Sequence, residues 1–358
     1  YAPTPLRPLA ALARRLGIAR IDYKDEAGRF GLGSFKALGG AYAVFRLLAG
    51  QVARATGAAP SSADLLAGRH RAATQAITVT TATDGNHGRS VAWAARLFHC
   101  RCVIYLHATV SAARTEAIAR HGAEIVRVPG NYDAAVRAAA ADAARLGRLV
   151  VSDTSYPGYM DVPRHVMQGY TVMVAEALEQ LAAHGAPPPS HVFVQGGVGA
   201  LPAAVTAQLW DTLPERPCVV VVEPETAACL FASAAAGHPV AVDGDLDTIM
   251  AGLACGEVSA LAWSILAPGA TAFMTIPDAA AEEAMRLLAG LAPPIVGGES
   301  GVAGLAGLLR VAARADWRAA IGLDAAARVL LIGSEGATDP ESYRRIVGQP
   351  PGSVAGQP

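Results

Sequence analysis

The chain has 358 residues, of which 52% are hydrophobic, and its formal net charge is −1. This length allows two domains or one large one, and the sparse, balanced charge predicts neither a nucleic-acid surface nor an acidic arm. The longest apolar runs are strand-length, far short of the roughly 20 residues that span a bilayer, so we expect no membrane segment. The first residues lack the basic and hydrophobic parts of a signal peptide, which favours a cytoplasmic location.

The five cysteines do not follow the spacing of a metal site, and we expect no metal. Buried thiols are the expected form. Cys229 and Cys255 flank a short acidic loop, and a disulfide that staples this loop is the alternative, although such bonds are rare in the cytosol.

Strand-like and helix-like runs alternate along most of the chain. β-branched or apolar runs predict strands at 76–81, 102–106, 124–128, 149–151, 191–195, 219–222, 271–275 and 328–333. Alanine-rich stretches predict helices at 88–98, 112–120, 132–145, 169–183 and 279–291. This alternation, with strands that are continuously apolar, predicts an α/β fold of βαβ units around mostly parallel sheets.

Lys36 follows Phe35 and precedes an apolar run that contains glycine. A lysine at the start of a helix is usually solvated, and that is the plain alternative here. Apolar surroundings would instead lower its pKa and make it a nucleophile that can form a Schiff base.

Two turns that follow predicted strands contain groups that can form hydrogen bonds to a ligand. Asn86 follows the strand at 76–81, in a turn where an asparagine amide can donate to a phenolate oxygen; His87 beside it is expected to orient the turn through a backbone bond. A glycine loop follows the strand at 191–195, and backbone amides in such a loop bind phosphate without a basic residue. The loop consists of Gly196, Gly197, Val198, Gly199 and Ala200.

Ser334 ends the last predicted strand. A serine there is commonly a cap, but its hydroxyl is also suited to face a pyridine nitrogen. A lysine, an asparagine turn, a phosphate loop and this serine together predict an enzyme that uses pyridoxal 5'-phosphate (PLP).

Across nearly the whole chain these motifs resemble the tryptophan-synthase-β family of PLP enzymes, also called fold-type II. The resemblance implies two open, twisted, mostly parallel α/β domains with PLP in the cleft between them. It places the large PLP-binding domain at 1–39 and 161–358 and the small domain at 40–160. It also implies a homodimer. Lys36 would be the Schiff-base lysine, next to Phe35, which also contacts the cofactor.

Longer runs are most similar to the diaminopropionate ammonia-lyases of this family, among them 24–32, 35–42, 83–88, 250–257, 298–301 and 334–340. Ser34 and Ala337 depart from the expected pattern. The resemblance implies α,β-elimination of 2,3-diaminopropionate (D, L or both) to pyruvate and two ammonia, with this small amino acid as the substrate.

Asp84 and Asp153 distinguish this subgroup from ordinary dehydratases. Asp84 is expected to act as a second acid/base opposite Lys36, or else to cap a helix. Asp153 is expected to hold or protonate the leaving amine, or else to belong to a strand-end turn. A carboxyl with an acid/base role should have a pKa nearer neutrality than usual. The alternative function is a serine or threonine dehydratase-type eliminase, and a non-catalytic protein with the same fold is a further one.

Overall fold

The computed structural model describes residues 1–83, 85–108 and 110–354, with only the backbone given for Asp133. The chain folds into two compact units. The large unit consists of Tyr1–Phe35 and Tyr170–Pro358, and the small unit is Lys36–Gly169. The sequence predicted slightly different bounds, with the large domain at 1–39 and 161–358 and the small domain at 40–160. These bounds stay a prediction.

The described residues contain strands in both units. In chain order they are β1 (Leu6–Pro8), β2 (Arg20–Asp25), β3 (Thr78–Ala82), β4 (Arg101–His107), β5 (Glu124–Val128), β6 (Leu149–Val150), β7 (His191–Gln195), β8 (Cys218–Pro224), β9 (Ala272–Ile276) and β10 (Arg328–Gly333). Every predicted strand is present, with ends shifted by no more than one or two residues. The first two strands, β1 and β2, were not predicted.

Helices lie between most of these strands. They are α1 (Ala10–Leu16), α2 (Lys36–Thr56), α3 (Ser62–Leu66), α4 (Arg71–Gln75), α5 (Asn86–Leu97), α6 (Ala112–Ala119), α7 (Tyr132–Leu146), α8 (Asp161–Ala183), α9 (Ala200–Thr212), α10 (Cys229–Ala236), α11 (Ala260–Gly269), α12 (Asp278–Ala289), α13 (Ala303–Ala312), α14 (Ala315–Ala320), α15 (Pro340–Val347) and α16 (Pro351–Val354). The helix predicted at 169–183 begins earlier, at Asp161, because Pro163 falls in its first turn, where proline is tolerated.

The sheet of the large unit has the strand order β1-β2-β10-β7-β8-β9. Its strands pair in parallel except that β1 runs antiparallel to β2. Phe193 and Leu331 on neighbouring strands are fully buried in a core that also contains Leu305 and Leu308 of α13. Apolar strands covered by helices thus form the bulk of this unit, as the sequence predicted.

The sheet of the small unit has the order β5-β4-β3-β6, and all its pairs are parallel. Val103 and Tyr105 of β4 pack against Ala135 and Ala139 of α7. Side chains cap the starts of α6 and α7: Ser111 accepts from the Arg114 amide, and Asn131 accepts from the Ala134 amide. Parallel strands bring their carboxyl ends to one edge of each sheet, which is where α/β proteins commonly place ligands.

The strand β2 was not predicted because its sequence, Arg20 to Asp25, alternates charged and apolar residues. Such a strand normally has one face in water. Here Lys24 is fully buried, and its charge is balanced by Glu176 of α8 at 2.7 Å. The strand can be buried on both faces because Lys24 pairs with Glu176, a residue far away in the sequence.

Candidate functional site

Two neighbouring strands of the small unit, β3 and β6, end beside each other. The chain leaves β3 into the turn before Asn86, and it leaves β6 toward Asp153 three residues later. Both predicted residues therefore follow the carboxyl ends of adjacent parallel strands, the usual position of functional groups in such sheets.

Lys36 is the first residue of α2, and its ammonium forms an ion pair with the Asp153 carboxylate. Its backbone carbonyl accepts from the Ser90 hydroxyl of α5 at 2.7 Å. Gly40, one turn further along α2, lies so close to Ser90 that an added Cβ would clash with it. Because Gly40 has no side chain, α2 and α5 can approach closely, and the start of α2 with Lys36 lies near the start of α5.

Asp153 is supported by the chain on either side of it. Tyr159 accepts from the Ser152 amide at 3.1 Å and donates to the Val150 carbonyl at 2.9 Å, which fixes the segment that leaves β6. Burial alone would raise the pKa of the Asp153 carboxyl. The Lys36 ammonium, through its charge and its hydrogen bond, outweighs burial and holds that pKa well below its usual range. The expectation of a pKa nearer neutrality is therefore wrong for Asp153 while Lys36 carries a free ammonium.

Thr83 stabilises the turn that contains Asn86. Its hydroxyl accepts from the amides of Gly85 at 3.1 Å and Gly88 at 3.0 Å, so the turn feeds directly into α5. Asn86 is the first residue of that helix. Asp84, predicted as the second acid/base, lies outside the described residues.

His87 has the structural role that the sequence predicted. Its Nε2 lies 2.8 Å from the carbonyl oxygen of Val151, which only accepts, so Nε2 carries the proton and donates. Burial is the main cause that lowers the pKa of the imidazole, and the positive charge of Lys36 adds to it. His87 is therefore neutral and ties the start of α5 to the segment after β6.

In the large unit the glycine loop joins β7 to α9. Gly199 has φ of 98°, a left-handed conformation that favours glycine. A Cβ on Gly197 would lie 3.2 Å from both Cys255 Sγ and the Gly252 carbonyl oxygen, so the backbone fits closely here. The first-turn amides of α9 have no acceptors within the helix and carry the positive end of its dipole. This arrangement is compatible with the phosphate site predicted from the sequence, which stays a prediction.

Ser334 follows β10, the strand beside β7, and is 3% exposed. Its hydroxyl oxygen lies 2.5 Å from the side-chain nitrogen of Gln195, the last residue of β7. Its backbone carbonyl accepts from the Phe35 amide at 2.9 Å. The Phe35 ring is buried against Tyr170 with ring centroids 4.5 Å apart, so this residue is anchored where the chain reaches Lys36.

The chain contains two lysines, Lys24 and Lys36. Lys24 is fully engaged: its ammonium pairs with Glu176 and donates to the Thr4 carbonyl at 2.7 Å and to Gln180 at 2.9 Å. Lys36 is therefore the candidate for a lysine that bonds covalently to a cofactor.

Sequence reasoning missed two polar residues at strand ends. Gln195 contacts the predicted Ser334, and Glu223 at the end of β8 lies beside the glycine loop, where a Cβ on Gly196 would be 3.4 Å from its Cγ. Glu223 accepts from the amides of Leu230 at 2.8 Å and Phe231 at 2.6 Å. The available signal was a single polar residue at the carboxyl end of an otherwise apolar strand.

The cysteines are all thiols, and no disulfide joins Cys229 to Cys255. Among the residues that the structure covers, no group of His, Cys, Asp and Glu side chains has the arrangement of a metal site. None of the described helices has both the length and the hydropathy needed to cross a bilayer.

Comparison with known proteins finds a matching family and several similar proteins. The family described as pyridoxal-phosphate dependent enzyme matches residues 1–334. Diaminopropionate ammonia-lyase from Salmonella typhimurium is 41% identical in an alignment of 357 residues that covers 97% of this chain and 88% of that protein.

Two solved structures of diaminopropionate ammonia-lyase from Escherichia coli are also similar. The complex with D-serine has a TM-score of 0.88 and 38% identity over 97% of this chain and 88% of that chain. The complex with an aminoacrylate-PLP azomethine reaction intermediate has a TM-score of 0.84 and 39% identity over the same shares. The predicted fold class is confirmed, and this chain belongs to the family of pyridoxal-phosphate dependent enzymes.

Proposed function

We propose that the chain is a PLP-dependent ammonia-lyase that converts 2,3-diaminopropionate and water to pyruvate and two ammonia. The observation that carries the proposal is the position of Lys36 at the start of a helix, beside the Asp153 carboxylate. The other lysine of the chain, Lys24, is paired with Glu176. The similarity to diaminopropionate ammonia-lyases over nearly the whole chain supports the choice of substrate.

The residues present suit PLP. Lys36 would bond to the cofactor through Nζ, with Phe35 beside it and the Asn86 amide donating to the phenolate oxygen. The phosphate would lie on the amides of the glycine loop, Gly196, Gly197, Val198, Gly199 and Ala200. Ser334 would face the pyridine nitrogen. The close fit around Gly197 and the left-handed Gly199 support the loop assignment, since a side chain at either position would displace the amides.

PLP, when bound, supplies an electron sink for the pair left at Cα after proton removal. Lys36 would remove the Cα proton from one face, and Asp84 would serve as the second acid/base on the other. Two bases on opposite faces would let one site accept both D and L isomers.

The β-amine must leave as ammonia and needs a proton. Asp153 would hold the cationic amine as a carboxylate, or would protonate it. While Lys36 carries a free ammonium, the pKa of Asp153 stays low, which favours holding the cation over supplying the proton.

The alternative function is a serine or threonine dehydratase-type elimination. It is favoured by one observation, that the similar enzyme from Escherichia coli has been captured with D-serine. A hydroxyl leaving group has no cationic amine for Asp153 to hold, which supports diaminopropionate as the better substrate.

The first test is the absorption spectrum of the purified protein with PLP, followed by pyruvate assays on D- and L-diaminopropionate, serine and threonine. A band at about 410–420 nm, with diaminopropionate turned over fastest, is the expected result. Turnover of serine or threonine alone would move the enzyme to the dehydratases, and no band after PLP addition would refute the proposal.

A second test identifies the lysine directly. Borohydride reduction fixes the cofactor on its lysine, and cleavage after arginine places Lys24 in the peptide 21–29 and Lys36 in the peptide 30–46. The cofactor mass should appear on the second peptide, while the first serves as the internal control. Label on the peptide 21–29 would contradict the assignment.

We also propose that the enzyme is a homodimer, as the resemblance to fold-type II enzymes implies, and that it is located in the cytoplasm. Sedimentation of the PLP-loaded protein should give the mass of two chains, and fractionation of the source cells tests the location.

A further inference from the structure

Gln195 is a buried amide in contact with the strand end that carries Ser334. The side chain is 1% exposed, at the carboxyl end of β7. Its nitrogen Nε2 lies 3.0 Å from the Ile332 carbonyl oxygen, 2.5 Å from Ser334 Oγ and 3.5 Å from the Gly301 carbonyl oxygen. The two shorter contacts are to the neighbouring strand β10 or to the residue that follows it.

The Ile332 carbonyl determines which way this amide points. A backbone carbonyl oxygen only accepts hydrogen bonds, so the amide atom beside it must be the nitrogen. The same nitrogen contacts Ser334, and an amide nitrogen only donates. Ser334 Oγ therefore accepts from Gln195, and its own proton must be donated to another partner.

Stability alone does not account for an amide at this position. The other amide atom, Oε1, is buried and has no hydrogen-bond partner among the residues that the structure covers. A buried acceptor without a partner costs free energy, and this cost offsets part of the stability that the donated bonds contribute. What the amide adds is the pair of donated bonds to Ile332 and Ser334.

We propose that Gln195 is a positioning residue for the cofactor: by occupying the acceptor side of Ser334, it directs the serine proton to the pyridine nitrogen of PLP. This inference rests on the proposed function. A pyridine nitrogen that accepts a hydrogen bond from this neutral hydroxyl stays unprotonated, because its partner is not a charged group. Gln195 thus sets the protonation state of the ring without contacting it.

Three variants separate this role from packing. Gln195→Met removes both donors and keeps the length of the side chain. Gln195→Glu keeps the shape, and its ionised form would accept the Ser334 proton. Ser334→Ala removes the hydroxyl itself. Gln180→Met is the matched control, since it deletes another amide of the large unit, one that bonds to Lys24 and Thr4 instead.

The readout is the ¹⁵N NMR shift of PLP labelled at the pyridine nitrogen and bound to each protein. The wild type and Gln180→Met should give the shift of an unprotonated, hydrogen-bonded nitrogen. Gln195→Met and Gln195→Glu should both change it in the same direction as Ser334→Ala. Wild-type shifts in both Gln195 variants, with a changed shift in Ser334→Ala, would overturn the proposal.

Coupling between the two residues provides the second measurement. Gln195→Met should weaken PLP binding roughly three- to tenfold in the wild type, and little further when Ser334 is already alanine. Equal losses in both backgrounds would show independent effects and would also overturn the proposal. If Gln195→Met does not fold, the same comparison is made with the isosteric Gln195→Glu.

The two proposals fail in different ways. A wild-type protein that binds no PLP refutes the proposed function. A wild-type protein that binds PLP and forms pyruvate, but whose Gln195 variants keep the wild-type nitrogen shift, refutes only the role of Gln195.

Discussion

Lys36 and Asp153 form an ion pair across 117 positions of sequence, with 19% of the lysine side chain and 14% of the aspartate side chain exposed. This pairing keeps the aspartate ionised, whereas burial alone would raise the pKa of its carboxyl. It also joins the start of α2 to the segment after β6, so the two groups support each other in the protein without cofactor.

Lys36→Ala should destabilise the apoprotein, because it leaves the Asp153 charge largely buried without its cation. We expect a loss of about 2 kcal/mol in the free energy of unfolding at pH 7, which Asp153→Asn should largely restore in the double variant. Urea unfolding measures both effects. Arg164→Ala is the control, since its ion pair with Asp161 is exposed and its loss should have little effect. Independent effects of the two substitutions would show that the pair adds no stability.

Asp84→Asn should impair elimination from one isomer of diaminopropionate more than from the other. If Asp84 is the base for the D isomer, kcat/KM for that isomer should fall roughly 100-fold or more, with a much smaller effect on the L isomer. Pyruvate assays on the separate isomers give the ratio. Full activity on the D isomer would exclude two bases on opposite faces.

Gly197→Ala should weaken PLP binding about tenfold, or about 1.4 kcal/mol. The added Cβ would press on the Gly252 carbonyl at 3.2 Å, and because this neighbour is backbone, the loop amides would have to shift. Titration of the apoprotein with PLP measures the affinity. Gly28→Ala is the matched control, since a Cβ there meets no atom within 4 Å. Wild-type affinity in Gly197→Ala would remove the loop from the phosphate site.

Glu176→Gln should destabilise the protein by about 3 kcal/mol at pH 7, because Arg29 and Lys24 lose a buried anion. Burial raises the pKa of Glu176, but bonds from Arg29, Lys24 and Tyr1 outweigh it and bring it to about 2. A lowered carboxyl pKa stabilises the fold above the ordinary pKa of about 4 and ceases to do so as pH falls toward 2. The difference between wild type and variant in urea unfolding should therefore shrink below pH 4.

The matched control for this prediction is Glu179→Gln, which makes the same change at an exposed position of the same helix. It should unfold like the wild type at every pH. A difference between Glu176→Gln and wild type that stays constant from pH 7 to 3 would contradict the linkage.

Glu223→Gln should flatten the dependence of stability on pH in the neutral range. Burial raises the pKa of this carboxyl from 4.5 to about 8, although the Leu230 and Phe231 amides oppose the shift. A raised carboxyl pKa means that the group's contribution is fully present below about pH 4.5 and is lost as pH rises through 8. The loss is at most about 5 kcal/mol. Thermal unfolding at pH 5 and pH 8 should show a smaller difference in the variant than in the wild type, and equal differences would contradict the assignment.

Much of the fold was predictable because the information lies within short segments. Apolar, β-branched runs such as 191–195 and 219–222 have few alternatives to a buried strand, whatever surrounds them. Glycine spacing, the Asn86 turn and Ser334 at a strand end likewise depend on local backbone geometry, so the sequence alone predicted these parts of the proposed PLP site.

The tertiary structure decided how charges and donors are paired, since pairing depends on residues far apart in the chain. Lys24 and Glu176 make β2 a buried strand that its own sequence does not predict. Asp153 has a lowered pKa chiefly because Lys36 reaches it, and the burial of the carboxyl by itself would have the opposite effect. The amide of Gln195 points toward Ser334 because Ile332, on the neighbouring strand, leaves it no other orientation. Local propensity is a property of the sequence, whereas the protonation and direction of polar groups come from the neighbours that folding brings to them.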